Sequence, residues 1–515
     1  MLELARIFQD NMILQREKKL SIYGKATPSK KIVVKIQNRE FESISDESGQ
    51  FKVNVDNLVA SNGESLLIEL KNNEEKVEES VTLKNVAIGE VWIAGGQSNM
   101  EFHMKYEKHR NTENIGDNSN LRFYSVPKIS YKGQDTDFGE IKAGKWRRAC
   151  EEDIDYFSAV GYYFQKKIYE DLDVPIGIIG CSWDGTRSAA WMSEETVKKV
   201  GMPWIELRKK EMEGIDMDYY NSIIHTLKCN DMSDPFKDPV HNYMMSQTPG
   251  MEKLKQMDIE VHGESYNQDP VLPGTQGATA SLFENMTKQL NGFGTRGIIW
   301  YQGESDDEIK DSSVYENMLE GLIGDWRRNF EDENLPFYDV QLTGFDEWLE
   351  VKAYDYPGLR KSQIKATDKA NNAYLCSITD AGKKDDIHPK NKKIVGHRLA
   401  MLAKKYTYGE DLLCDAPRFK SATKAGNVIT IDFENSQGLY IKDDEINNLA
   451  IYNENGEKIA YNAKITDDKL VLKCNLSEKE MESKLNIKFA VDNWIKVNLY
   501  NKADIPAIQF ETEVR

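Results

Sequence analysis

No stretch of this chain approaches the roughly 18 consecutive apolar residues of a membrane helix. The opening Met1-Leu-Glu-Leu-Ala-Arg-Ile-Phe-Gln-Asp10 lacks the basic start and apolar run of a signal peptide. These absences argue against membrane insertion. They place the protein in the cytoplasm, or outside the cell if a leader was removed. Basic clusters are missing too. Lys and Arg number 67 against 85 Asp and Glu, for a formal charge of −18, so the overall field repels polyphosphates and argues against nucleic-acid binding. The six cysteines (Cys150, Cys181, Cys229, Cys376, Cys414 and Cys474) are far apart and form no CxxC pair. That spacing speaks for reduced thiols and against a structural zinc site. Histidine is scarce as well, with seven in 515 residues.

What remains is a 40% apolar, 30% charged chain long enough for two to four domains. Residues 1–88 read as β. Runs such as Lys31-Ile-Val-Val-Lys-Ile-Gln37 and Phe51-Lys-Val-Asn-Val-Asp56, separated by polar turns, suggest a small sandwich. From 89 the rhythm changes to strand and helix in alternation. Val91-Trp-Ile-Ala94, Val174–Gly180, Arg296–Trp300, Phe337–Leu342 and Ala373–Ile378 read as strands, and Phe157–Tyr169 as a helix. This alternation predicts an α/β domain on a mainly parallel sheet over 89–408. A Met- and charge-rich helical or irregular insertion interrupts it at about 205–280. Residues 391–405 place Ile394, Val395, Leu399, Leu402 and Ala403 on one helical face, and the β pattern returns over 409–515.

Open α/β sheets bind ligands at the carboxyl ends of their strands, and three segments put polar residues there. In Val91-Trp-Ile-Ala-Gly-Gly-Gln-Ser-Asn-Met100, two glycines turn the chain so that Ser98 can attack a carbonyl beside exposed backbone N–H groups. A helix-capping serine is the competing reading. The Asn99-Met100 that follows excludes the Gly-x-Ser-x-Gly elbow. In Ile298-Ile-Trp-Tyr-Gln-Gly-Glu-Ser-Asp306, Gln302 suits an oxyanion donor and Glu304 a brace, while the segment taken alone favours a turn in which Ser305 or Asp306 caps the next helix. In Asp385-Asp-Ile-His-Pro-Lys-Asn-Lys392, a carboxylate three residues before His388 suits the orientation of a general base; a capped surface loop is the alternative. Of the other histidines, His397 falls in the last helix of this domain and His225, His241 and His262 in the insertion. His388 is therefore the best-placed base.

Together these segments resemble the SGNH hydrolases, in particular the sialate O-acetylesterase branch related to carbohydrate esterase family 6. The motifs that carry the resemblance are Gly96-Gln-Ser-Asn-Met100, Trp300-Tyr-Gln-Gly-Glu-Ser305 and Asp386-Ile-His-Pro-Lys390, in that order. Asn11–Arg16, Cys181–Thr186 and Leu359–Gln363 add to them. The resemblance implies a three-layer α/β/α hydrolase domain between β-rich N- and C-terminal domains. It implies Ser98 as nucleophile, His388 as general base, and the N–H groups of Ser98 and Gly185 with the Gln302 side chain as oxyanion donors. It also implies Glu304 and Arg360 as buried support, in a charge-assisted pair. For the group that orients His388, Asp385 is favoured by its spacing, with Asp386 and a backbone carbonyl as competitors. Asp184 is a departure, since relatives carry glycine there.

The chemistry so implied is deacetylation of a carbohydrate, sialic acid or an acetylated oligosaccharide, through an acyl-enzyme, with no metal or organic cofactor. The alternatives are a catalytically inactive carbohydrate-binding protein on the same scaffold and a hydrolase of other short-chain esters.

Overall fold

The computed structural model describes residues 1–134, 142–223, 234, 236–247, 250–263 and 273–515. His225 and Cys229 lie outside the described residues. At the N-terminus, Leu2–Leu4, Leu20–Ala26 and Gln50–Val55 form one small sheet. The antiparallel strands Lys31–Ile36, Arg39–Ile44 and Ser61–Lys71 form a second layer. Alternation explains both. In Gln50–Val55, Phe51, Val53 and Val55 are buried while Gln50 and Asn54 face solvent.

The second layer does not stop at residue 88. It passes into a 20-residue strand, β1 (Val77–Gly96). The first half of β1 pairs antiparallel with Ser61–Lys71 and is mostly exposed; the second half, Val86–Gly96, is wholly buried. The boundary expected at 88/89 thus falls inside one continuous strand. The change is written in the side chains: charged and polar residues dominate 77–85, while Val91, Trp92 and Ile93 follow, each contributing roughly 1.5–3 kcal/mol on burial.

Around that buried half assemble β2 (Asn118–Ser125), β3 (Trp146–Ala149), β4 (Ile176–Ser182), β5 (Gly297–Tyr301), β6 (Phe337–Val340) and β7 (Ala373–Cys376), in the order β3-β2-β4-β1-β5-β6-β7. All neighbours are parallel except the edge strand β3. The helices of this part include the one-turn α1 (Ser98–Glu101), then α2 (Ala159–Leu172), α3 (Ser313–Asn329), α4 (Tyr356–Lys369) and α5 (Lys392–Tyr406). Helices α2 and α5 pack on each other, as do α3 and α4. On α5, Val395, Leu399, Leu402 and Ala403 are buried and Ile394 half-buried, as the periodicity requires.

In the insertion, the described residues form helices, among them Met202–Glu211, Pro239–Ser246 and Met251–His262. Phe236 docks this region against the rings of His103, Tyr106 and Tyr156. After α5, three further antiparallel sheets enclose a separate core that includes Ile431, Ile451, Leu472, Ile487 and Phe489. The protein is therefore a mixed α/β molecule with one large mixed sheet and β-rich regions at both ends.

The turn out of β1 depends on glycine. Gly96 has φ +139°, and a Cβ there would lie 2.1 Å from the Tyr301 carbonyl oxygen. Gly96→Ala combines backbone strain with a clash against backbone that cannot swing away, so it is expected to cost at least about 3 kcal/mol. Thermal or urea unfolding of the variant checks this.

Candidate active site

Leaving β1, the chain first builds β2, β3 and β4 on one side and then returns to build β5, β6 and β7 on the other. The carboxyl end of β1 is thus the topological switch point, where an open sheet leaves a crevice. Ser98 is two residues beyond that end. It is the first residue of α1, not its cap: Gln97 holds the cap position, and no side chain caps the helix. Ser98 is 6% exposed and lines a cavity of about 730 Å³ together with Gln97, Asp184, Gly185, Glu304 and His388. Residues from the ends of β1, β4 and β5 meet here with the loop before α5. The insertion supplies Arg208, Glu211 and Gln276 to the same cavity.

One side chain ties these loops together. The Asn99 amide donates to the carbonyl of Ile387 at 3.0 Å and to the Glu304 carboxylate, and its oxygen accepts from Lys392 Nζ. The neighbour of Ser98 is therefore bonded directly to the neighbour of His388. Asn99, Glu304 and Lys392 are all buried, in a setting where such bonds gain strength only if every member is satisfied. One atom is not: Glu304 Oε2 is buried at the cavity with no hydrogen-bond partner among the described residues. Burial raises the Glu304 carboxyl, with the Asn99 bond and Lys392 pulling it back. Lys392, stacked 4.9 Å from the Phe102 ring and 5.2 Å from Tyr301, is pushed down to about 7 by burial.

His388 is 5% exposed and meets the Trp348 ring edge-on at 5.0 Å. Burial, then the cations of Lys392 and Lys390, hold the imidazole well below its ordinary pKa. The orienting carboxylate does not lie where spacing puts it. Asp385 is exposed and pairs with Lys383 at 3.6 Å. Asp386 is the buried one. Its carboxylate accepts the His388 backbone N–H at 2.9 Å and pairs with Lys390 at 3.3 Å, so it shapes the loop that carries His388. Nδ1 of His388 has no hydrogen-bond partner among the described residues.

Two other expected roles meet different geometry. The Gln302 amide group donates to Asp306 and to the Thr186 carbonyl, and its oxygen accepts from Tyr315, so the side chain is fully engaged beneath the cavity. Asp306 also takes the Ser188 backbone N–H at 2.9 Å, and burial pushes its carboxyl up to about 6. It is a buried strut at the start of the short Ser188–Trp191 helix and does not cap α3, whose cap position is Ser312. Arg360 makes no bond to Glu304. Its guanidinium donates to the carbonyls of Thr343, Ala490 and Asp492 and to Gln509, anchoring the C-terminal β region. The cation beside Glu304 is Lys392. The signal for it is present in the sequence, because a lysine opening a helix sits against the unfavourable end of the helix dipole and needs a compensating acceptor.

Gly185 has φ +65°, a left-handed conformation that favours glycine, and space in front of it. Its neighbour Asp184 lines the cavity with Ser98 and Gly185, and its backbone N–H donates to the Glu101 carboxylate at 2.8 Å.

A family model for sialic acid-specific acetylesterases, a class of carbohydrate esterase, matches residues 270–406. Sialate O-acetylesterase from Mus musculus is 23% identical over 436 residues, covering 79% of this chain and 73% of its own length. The Homo sapiens protein of the same name is 23% identical over 435 residues, covering 79% and 71%. The chain is similar to the sialate O-acetylesterases. A carbohydrate acetylesterase from Xanthomonas citri shares the fold over 99% of both chains, with TM-score 0.74 and 23% identity. Ser98 lies outside the stretch that the family model matches, whereas Gln302, Glu304, Arg360 and His388 lie inside it.

An imidazole that is to accept a proton from Ser98 must be neutral, so a lowered His388 pKa keeps the base active to lower pH. Lys392→Met removes a cation that lowers it. The acid limb of kcat/KM is expected to move to higher pH by about half a pH unit or more. A pH–rate profile on an aryl acetate measures this.

Proposed function

We propose that the protein is a serine esterase that removes O-acetyl groups from a carbohydrate, on a three-layer α/β/α domain of the SGNH type. The observation that carries the reading is the meeting of Ser98 and His388 in one cavity at the switch point of the sheet, with Asn99 bonded across to Ile387. His388 takes the Ser98 proton as the hydroxyl oxygen attacks the acetyl carbonyl. The oxyanion rests on the backbone N–H groups of Ser98 and Gly185, while Gln302 supports the site from below through Asp306. Collapse of the tetrahedral intermediate expels the sugar hydroxyl, which leaves with the proton held by His388. Water activated by His388 then releases acetate and restores Ser98. The aromatic wall of Phe345, Trp348, Tyr354 and Tyr356 suits the apolar face of a sugar ring.

Asp386 serves as the acid of this site, acting through the backbone of His388, and Asp385 has no part in it. Ser98→Ala is expected to lower p-nitrophenyl acetate turnover by about 10⁴-fold or more, with the fold intact by circular dichroism. His388→Ala is expected to cost about 10²–10⁴-fold. Full activity of Ser98→Ala would remove the assignment, and sugar binding without acetate release would favour a binding protein instead. In the same assay, Asp385→Ala is expected to stay within about threefold of the parent and Asp386→Ala to fall by about tenfold or more. The reason is that only Asp386→Ala strands a buried N–H and a lysine.

A further inference from the structure

The cavity holds more than the reacting groups, and its charges are arranged unevenly. Nearest Ser98 are two carboxyls. Asp184 lines the cavity with Ser98 and Gly185, and Glu304 presents a buried oxygen without a hydrogen-bond partner among the described residues. The arginines that line the cavity are already matched. Arg187 is held by both Glu211 and Glu308, the latter at 2.9 Å, and Arg208 pairs with Glu211 at 3.1 Å. Neither offers the open two-pronged fork by which an arginine receives a carboxylate. Lys352 is paired with Glu347 at 3.5 Å, and Lys310 lies 5.6 Å over the Tyr354 ring, at the rim. The aromatic wall offers a sugar ring a face that is indifferent to charge.

Resting on the esterase reading above, we infer that this cavity selects acetylated sugars that carry no carboxylate, and that Asp184 is the residue that turns anionic sugars away. A carboxylate brought beside Asp184 and Glu304 meets like charge, with no unpaired arginine among the described residues of the cavity to offset it. A neutral acetylated hexose or pentose brings only hydroxyls and a ring face. Asp184 acts on the choice of substrate here and takes no proton in the reaction.

The test compares kcat/KM of the intact protein, slightly above neutral pH, on three esters. These are p-nitrophenyl acetate, a neutral 6-O-acetyl hexose glycoside and a 9-O-acetylated sialic acid. The neutral sugar ester is expected to be preferred over the anionic one by about tenfold or more. Asp184→Asn is expected to narrow that ratio at least about threefold by a gain on the anionic ester, and added salt to narrow it in the unaltered protein. Equal or better turnover of the sialic acid ester, or a ratio that neither Asp184→Asn nor salt moves, overturns the inference while p-nitrophenyl acetate turnover leaves the esterase reading standing. Failure to turn over any of the three esters, p-nitrophenyl acetate included, overturns both.

Discussion

The Asn99 amide is the contact on which the arrangement of this site depends. A planar group with two donor hydrogens and one acceptor oxygen meets a backbone carbonyl, a carboxylate and an ammonium. Because Ile387 precedes His388 and Asn99 follows Ser98, the bond ties Ser98 to His388 through their backbones and leaves their own side chains out of the link. The buried Lys392–Asn99–Glu304 chain has a further effect. It brings a cation near His388, which favours the neutral, proton-accepting ring.

The β-rich ends contribute to the site through their contacts with the central sheet. The N-terminal layer continues directly into the strand that delivers Ser98, so the position of the nucleophile is set partly by strand pairing that begins at Val77. Behind it, buried Glu90 on β1 accepts from Arg16 at 2.6 Å and from Arg296 at 3.0 Å, bonding the start of the chain and the start of β5 to β1. At the other end, Arg360 and Asn493 bind the C-terminal region to the segment around residues 343–356, and Phe345 donates its N–H to the Asn493 carbonyl. That segment carries Phe345 and Trp348 into the cavity. Arg360 therefore bears on the site as an anchor of its aromatic wall, at a distance from the chemistry.

Much of this arrangement is legible in the sequence. Local periodicity locates β1, β4, β5 and α5, because burial on a strand or helix face leaves its mark on consecutive residues. Glycines at 95 and 96 after an apolar run locate the turn at Ser98, and the scarcity of histidine narrows the base to His388. Spacing misleads in the loop before α5. Asp385 and Asp386 are adjacent and identical in chemistry, and which of them is buried depends on how the loop lies against Lys383 and Lys390. Motif alone assigns Arg360 and Gln302 to the site, whereas most of their donors are satisfied by carbonyls and carboxylates that no motif contains. Hydrogen-bond partners far apart in the chain leave no periodic trace.

The sequence by itself determined the element types, the presence of β-rich regions around an α/β part and the choice of Ser98 and His388 as candidates, since each follows from local patterning or from a count of what the chain contains. Tertiary structure alone decided that β1 spans two regions, that Lys392 and not Arg360 sits beside Glu304, that Asp386 rather than Asp385 is buried, and that the arginines of the cavity are already neutralised. The physical reason is common to all four. Electrostatic and hydrogen-bonding partnerships are fixed by distance in space, and only the packed chain says which charges, hundreds of residues apart, are left without a partner.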